Sequence, residues 1–358
     1  MTHNEEQTRA ATAPGGLTAF IQAMPKVELH VHLEGATQPA ALLKLAQRHG
    51  IALPADTVEG IRQWYQFTDF PHFIEVYMQV SACIRTPDDI ELLAREFLQG
   101  QAAQNIRYSE VTYTPYTHYL QKGLAFADQL AAINRAQAWA EAELGVTMSL
   151  VIDIARNVTP AEGLITADWA ISGIGNGVVA FGLGGPEVGH PPEWFAEAFA
   201  RTRAAGLPGV PHAGETVGPA SIRGALDALH AVRIGHGVRC LEDPALVAEL
   251  RERQIPLEVC PTSNICLKVF DRFEHHALPR LLDAGLYVTL NSDDPPMFNT
   301  TLTDEYLRSA AVFGLDVGMV EQLVLNAVRA SFLPHSVKAN LERDFYAEFG
   351  RLRRQYLV

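Results

Sequence analysis

Apolar and polar residues alternate along Val27-Glu28-Leu29-His30-Val31-His32-Leu33, the period-two pattern of a strand with one face buried. Seven further short apolar runs, at 106–113, 147–154, 177–183, 209–212, 232–236, 256–260 and 286–291, have the same strand character. Between them the pattern shifts to that of amphipathic helices, at 39–49, 88–104, 126–144, 192–205, 219–231 and 244–253, with a weaker stretch at 275–284. Thr86-Pro87-Asp88 is a start signal for the second of these helices. Eight strands, each followed by helical material, predict an α/β fold, a TIM-type (β/α)8 barrel with the helices outside.

A helical insertion is expected after the first strand, where residues 61–80 carry Trp64, Tyr65, Phe67, Phe70, Phe73 and Tyr77. Rings at helical spacing are usually core, yet a long insertion is also a common place for a lid. The expectation is a split, with some rings in the core and Phe70 and Phe73 facing a ligand. Residues 1–16, polar and rich in small side chains, lack the apolar centre of a signal peptide and are expected to form a mobile tail. Residues 17–358 are then expected to form a single barrel domain, entered through a short helix at 17–21.

Composition narrows the function classes. The net charge of -13 argues against a nucleic-acid surface, which needs clustered Lys and Arg. There is no apolar run long enough to span a membrane. Cys83, Cys240, Cys260 and Cys266 form no Cys-x-x-Cys pair, so free thiols in a reducing compartment are the simpler reading. A cytoplasmic protein is expected, with no nucleic-acid or membrane partner.

The candidate chemistry gathers at strand ends. Alternation puts His30 and His32 on one face of the first strand, where they could grip one metal ion or could be polar residues on a solvated face. His212 closes the fifth run, in Val210-Pro-His-Ala-Gly-Glu215, His236 closes the sixth, and Asp293-Asp294 follows the eighth. In such a barrel the C-terminal strand ends form the mouth where ligands bind, so these residues converge there. Imidazoles are good zinc ligands, and a nearby carboxyl group can carry protons for a hydrolysis. His49, His72, His230, His275, His276 and His335 read as surface or packing residues.

Five motifs then carry a resemblance: Pro25-Lys-Val-Glu-Leu-His-Val-His-Leu-Glu-Gly35, His212-Ala-Gly-Glu215, Arg233-Ile-Gly-His-Gly237, Cys260-Pro-Thr-Ser-Asn264 and Asn291-Ser-Asp-Asp-Pro295. Over residues 17–333 the chain resembles the adenosine deaminase family of metal-dependent barrel hydrolases. The resemblance implies one Zn2+ per chain, held by His30, His32, His212 and Asp293, with the open position that a catalytic zinc requires. It implies that His236 orients the attacking water and assists its deprotonation. Glu215 would protonate N1 of a 6-aminopurine, making C6 electrophilic before ammonia leaves. Asp294 would hydrogen-bond N7, and Gly185 in Gly182-Leu-Gly-Gly-Pro-Glu187 would offer its N–H to N3, with Glu187 helping to position the base.

The substrate signature is mixed. Familiar adenosine deaminases have aspartate where this chain has Glu34, the contact to the ribose 5′-hydroxyl, and glutamate there is common in adenine deaminases. The loop from Gly185 to Pro192 also leans toward adenine deaminases. Gly235 leans the other way, because adenine deaminases usually carry aspartate before this histidine. Adenosine or 2′-deoxyadenosine is the default substrate; free adenine and a 5′-modified nucleoside such as aminodeoxyfutalosine are the alternatives. Among other classes, two-metal hydrolases on this barrel often use a carboxylated lysine, and residues 177–183 contain none. A zinc-stabilised binding protein without turnover is the non-catalytic alternative.

Overall fold

The computed structural model describes residues 15–357. Eight parallel strands follow chain order around one sheet: β1 (Lys26–His32), β2 (Ile106–Tyr113), β3 (Thr147–Ala155), β4 (Val178–Gly184), β5 (Gly209–Ala213), β6 (Ile234–His236), β7 (Leu257–Val259) and β8 (Val288–Leu290). The first and last strands meet through the residues just beyond β8. Asp293 N–H donates to the carbonyl of His30 at 3.1 Å, and His32 N–H donates to the carbonyl of Asp293 at 2.9 Å. The Asn291 side-chain oxygen accepts from Leu29 N–H at 2.9 Å, and the Glu28 carboxylate accepts from Ser292 N–H at 3.1 Å. Much of this closure is therefore made by side chains rather than by a strand ladder.

Helices cover the outside, and the sequence explains where they start. Proline in the first turn, where its missing N–H costs nothing, opens the helices Pro39–His49, Pro115–Lys122, Pro219–Asp227 and Pro244–Arg253. Thr86 and Asp89 cap the helix Pro87–Ala103 reciprocally, as Thr159 and Glu162 do for Pro160–Ser172. Alternate residues of one strand serve two cores. Leu150 and Ile152 of β3 pack outward among the helices, whereas Val151 joins Ala180 and Val210 in a small separate cluster. The expected insertion is present as the helices Val58–Trp64 and Phe70–Ala82.

The differences from expectation are local. β6, β7 and β8 have only three residues each, shorter than the runs expected. The helix expected at 192–205 divides into a 3-10 turn, Pro192–Phe195, and the helix Ala196–Ala204. Of the tail expected at 1–16, residues 1–14 lie outside the described residues, while Gly16 already opens the helix Gly16–Ala23. The C-terminal helices Leu302–Phe313, Val317–Ala330 and His335–Tyr356 carried no strand-to-strand punctuation and were not anticipated. All four cysteines are free.

Candidate active site

His30 and His32 leave β1 on one face, as alternation requires, and reach toward Asp293 across the closing seam. Nε2 of His30 lies 3.3 Å and Nε2 of His32 3.4 Å from Oδ1 of Asp293. From β5, Nε2 of His212 comes within 3.1 Å of Nε2 of His32. Hydrogen bonds on the far side of two rings assign their tautomers. Nδ1 of His30 donates to Glu258 at 2.9 Å, and Nδ1 of His212 donates to the carbonyl of Leu183 at 3.0 Å. With a cation in place of a proton, both rings would turn an Nε2 lone pair inward, the orientation that outer partners impose on metal-binding histidines. Nε2 of His30 is buried without a hydrogen-bond partner.

Such a cluster fits a cation. Burial disfavours charge on His30, yet Asp293 and Glu258 hold its pKa up at about 10. Burial, then the charge of His30, pushes His212 well below the ordinary histidine value. Burial works against the charge of Asp293, but the hydrogen bond and charge of His30, with His236 and His32, hold its carboxyl well below the usual range. Donor atoms of His30, His212, His236 and Asp293 lie within 4.8 Å of one another, and His32 gathers with Asp293 and Asp294 in a second such group. His236, expected outside the ligand set, thus lies close enough to join it. Its hydrogen bonds separate it: Nδ1 faces the Asn264 amide nitrogen at 3.3 Å, a group that only donates, so the ring proton is on Nε2. That Nε2 lies 3.7 Å from Glu215 and 3.8 Å from Asp293.

The turn after β5 carries Glu215. The Glu187 carboxylate accepts from the N–H groups of Gly214, Glu215 and Thr216 at 2.9, 2.9 and 2.8 Å. Glu187 was expected to help position a base; it holds the Glu215 loop instead, and its oxygens are fully engaged there. Burial, then the charges of Asp293 and Glu187, raises the pKa of Glu215 well above the carboxylate range, which favours its protonated form. Asp294 is pushed up in the same way by burial and by Asp293. Its carboxyl occupies the space where any side chain on Gly35 would begin, which accounts for a glycine at the end of the first motif. His236 and Asp293 both adopt left-handed backbone conformations, φ 62° and 66°, uncommon for such residues and characteristic of constrained sites.

These groups open into one cavity. His32, His212, Glu215, His236, Asp293 and Asp294 form its floor, and Gly185, at φ 88°, lies on its rim. Phe70 and Phe73 line it with Tyr77. Phe73 also packs against Phe67 and Phe298 at ring separations of 5.2 and 5.4 Å, so the aromatic insertion is wall and core together. Glu34, expected to touch substrate, is not among the lining residues. Its carboxylate accepts from Thr114 N–H at 3.0 Å, pairs with His118 at 3.1 Å and meets the Tyr77 hydroxyl at 3.4 Å. It stands behind Tyr77 and Thr114, which do face the cavity.

Several residues of this site escaped sequence reasoning. Arg233, buried in the barrel, pairs with Glu110 and Glu258 at 2.6 Å each, and Glu258 in turn holds His30. Asp153 lines the cavity with a buried, unpartnered Oδ1. Asn264 belonged to a quoted motif without a role, and His276 was taken for packing. Glu258 and Asp153, acids inside otherwise apolar strand runs, gave the available signal: an acid inside a strand needs a partner.

The chain matches the Adenosine deaminase family over residues 25–347. It belongs to that family. The aminodeoxyfutalosine deaminase of Streptomyces coelicolor is 43% identical over 337 residues, 93% of this chain and 87% of the relative. A crystal structure of adenine deaminase from Arthrobacter aurescens superposes with a TM-score of 0.87 at 35% identity, covering 92% of this chain and all of the other. A zinc-bound amidohydrolase from Burkholderia ambifaria superposes with a TM-score of 0.89 at 27% identity, covering 98% and 97%. The family member described here is therefore a hydrolytic enzyme on a (β/α)8 barrel, with a cluster of His and Asp side chains able to hold a metal.

Proposed function

We propose that this enzyme is a zinc-dependent hydrolytic deaminase of a 6-aminopurine, with a 5′-modified nucleoside of the aminodeoxyfutalosine kind as its preferred substrate. The observation that carries the chemistry is the convergence of inward-facing Nε2 atoms, Asp293 and a proton-bearing Glu215 at one cavity floor. His30, His32, His212 and Asp293 are the residues suited to hold the metal, and the zinc in a superposable relative supports its identity. Zinc held there supplies Lewis acidity and hydroxide at near-neutral pH.

The chain's own groups do the rest. Glu215 gives its proton to N1 of the purine, which draws electrons from C6 and opens it to attack. His236 directs its Nε2–H toward the attacking oxygen and so aligns it. Asp294 meets N7, and Gly185 offers its backbone N–H to N3. Water enters and ammonia leaves, so the product is the corresponding 6-oxopurine.

Two observations support a nucleoside over the free base. The 43% identity to an aminodeoxyfutalosine deaminase runs through nearly the whole chain. A side chain at Gly235 would begin 2.8 Å from His30 Cε1 and 3.1 Å from His212 Cα, which leaves no room here for the aspartate usual in adenine deaminases. Adenosine itself, the default from the motifs, shares the argument from Gly235 but not the one from identity. Free adenine remains the second reading, favoured by Glu34 and by the Arthrobacter relative. Ammonia release from adenosine, 2′-deoxyadenosine, adenine and aminodeoxyfutalosine tests the ranking. The highest kcat/KM is expected with aminodeoxyfutalosine; zinc-loaded protein that releases no ammonia from any of them would overturn the proposal.

A further inference from the structure

We infer that His276, which lies outside the cavity, sets the tautomer of His236 by fixing the orientation of the Asn264 amide between them. The geometry stands by itself; only its consequence for catalysis rests on the deaminase reading above. Leu278 N–H donates to Nδ1 of His276 at 3.1 Å. A peptide N–H cannot accept, so Nδ1 holds the lone pair and the proton of this ring is on Nε2. That Nε2–H points at Oδ1 of Asn264 at 3.1 Å. The amide nitrogen is thereby turned toward Nδ1 of His236 at 3.3 Å and, more weakly, toward Glu215 Oε1 at 3.5 Å. Nδ1 of His236 accepts, and Nε2–H is left facing Glu215 and Asp293.

No link in this chain can be reversed alone. A flipped Asn264 amide would set its nitrogen against Nε2–H of His276, two donors face to face. Moving the His276 proton to Nδ1 would set it against Leu278 N–H instead. Water cannot readily substitute, because His276 is 3% exposed and Asn264 0%. The ring of His276 meets Phe270 edge-on, at 4.8 Å between centroids, with Phe273 and Phe313 at 6.4 and 6.5 Å. Burial also pushes its pKa down to about 3, so it stays neutral through the physiological range.

His276 is thus a positioning residue, acting on substrate only through Asn264 and His236. Its consequence revises the expectation that His236 assists deprotonation. A neutral His236 with its proton on Nε2 donates to the attacking oxygen and cannot accept a proton there, so it orients that oxygen rather than deprotonating it.

Ring-nitrogen NMR shifts of protein labelled in histidine read this directly, with the His236 signals assigned by their loss in His236→Asn. The wild-type protein is expected to show protonated Nε2 and unprotonated Nδ1 at His236. His276→Phe keeps the aromatic packing but loses the donor. It should give mixed tautomers at His236 and lower kcat about 10- to 100-fold, with KM within about twofold and zinc content unchanged. His276→Gln, whose amide retains a donor and an acceptor, should restore the Nε2–H tautomer and most of kcat. A wild-type His236 protonated on Nδ1 would overturn the inference, as would a His276→Phe protein with the wild-type tautomer. If His276→Phe does not fold, the wild-type and His276→Gln spectra decide. If no 6-aminopurine is turned over, the spectra still decide, so the two proposals fail separately.

Discussion

The two halves of the barrel are built differently. Strands β1 to β4 run for seven, eight, nine and seven residues, whereas β5 has five and β6, β7 and β8 have three each. The long half is held by longer ladders, of which β2 with β3 is unbroken from Tyr108 against Thr147 to Tyr113 against Ile152. The short half is held by side chains and by close approach: Asn291 and Glu28 at the seam, Glu187 at the β5 turn, and Gly235 against two imidazoles. Short ladders release the residues at strand ends from extended geometry, and His236 and Asp293 use that release to adopt their left-handed conformations. The long half presents His30 and His32 on rigid strand. The short half presents the other two metal-facing residues, His212 and Asp293, together with Glu215, His236 and Asp294, the groups assigned to protons and hydrogen bonds. The metal-facing set thus spans both halves, whereas the proton-carrying groups come from the side-chain-stitched strand ends and turns of the short half, at angles a strand does not offer.

The division can be broken by mutation. The largest effect is expected from Glu215→Gln in the short half, which keeps the shape but removes the proton, so kcat should fall about 10²- to 10⁴-fold with zinc retained. Steady-state kinetics with metal analysis checks this, and near-normal turnover would remove Glu215 from its role. In the long half, Leu150→Ala empties a fully buried site facing the helices. It should cost about 2–5 kcal/mol of folding stability by denaturant titration, with kcat of the remaining folded enzyme little changed. A comparable loss of kcat there would erase the distinction between halves.

Glu258→Gln on β7 tests the support of the metal-facing histidine. It weakens the hold on Nδ1 of His30, and zinc affinity by competitive chelation should fall about 10- to 100-fold. The smallest effect concerns pH. His276 has a folded pKa of about 3 against 6.5 for the free side chain, so the unfolded chain takes up the proton first as pH falls. Its contribution to stability is present above 6.5 and is lost as pH drops toward 3, with a slope of up to ~1.4 kcal/mol per pH unit. Denaturation of wild type and His276→Gln across this range should differ by that slope; parallel curves would show that His276 is not held neutral.

Much of this molecule was legible in its residues. Alternation placed β1, the Thr86-Pro87-Asp88 signal placed the start of its helix, and the order of strands and helices determined the barrel. Histidines and acids at strand ends identified the mouth, because a parallel barrel brings those ends together wherever they lie in the chain. Hydrophobic period could not determine how far β6, β7 and β8 extend. A run of apolar residues reads the same whether it pairs in a sheet or packs as a turn. Nor could it reveal that Glu34 faces His118 and Thr114, that Glu187 grips a loop, or that Glu258 and Asn264 stand behind His30 and His236. Those partnerships join residues dozens to hundreds of positions apart. They are chosen by which donor meets which acceptor once water has been excluded, and only the packed structure decides that.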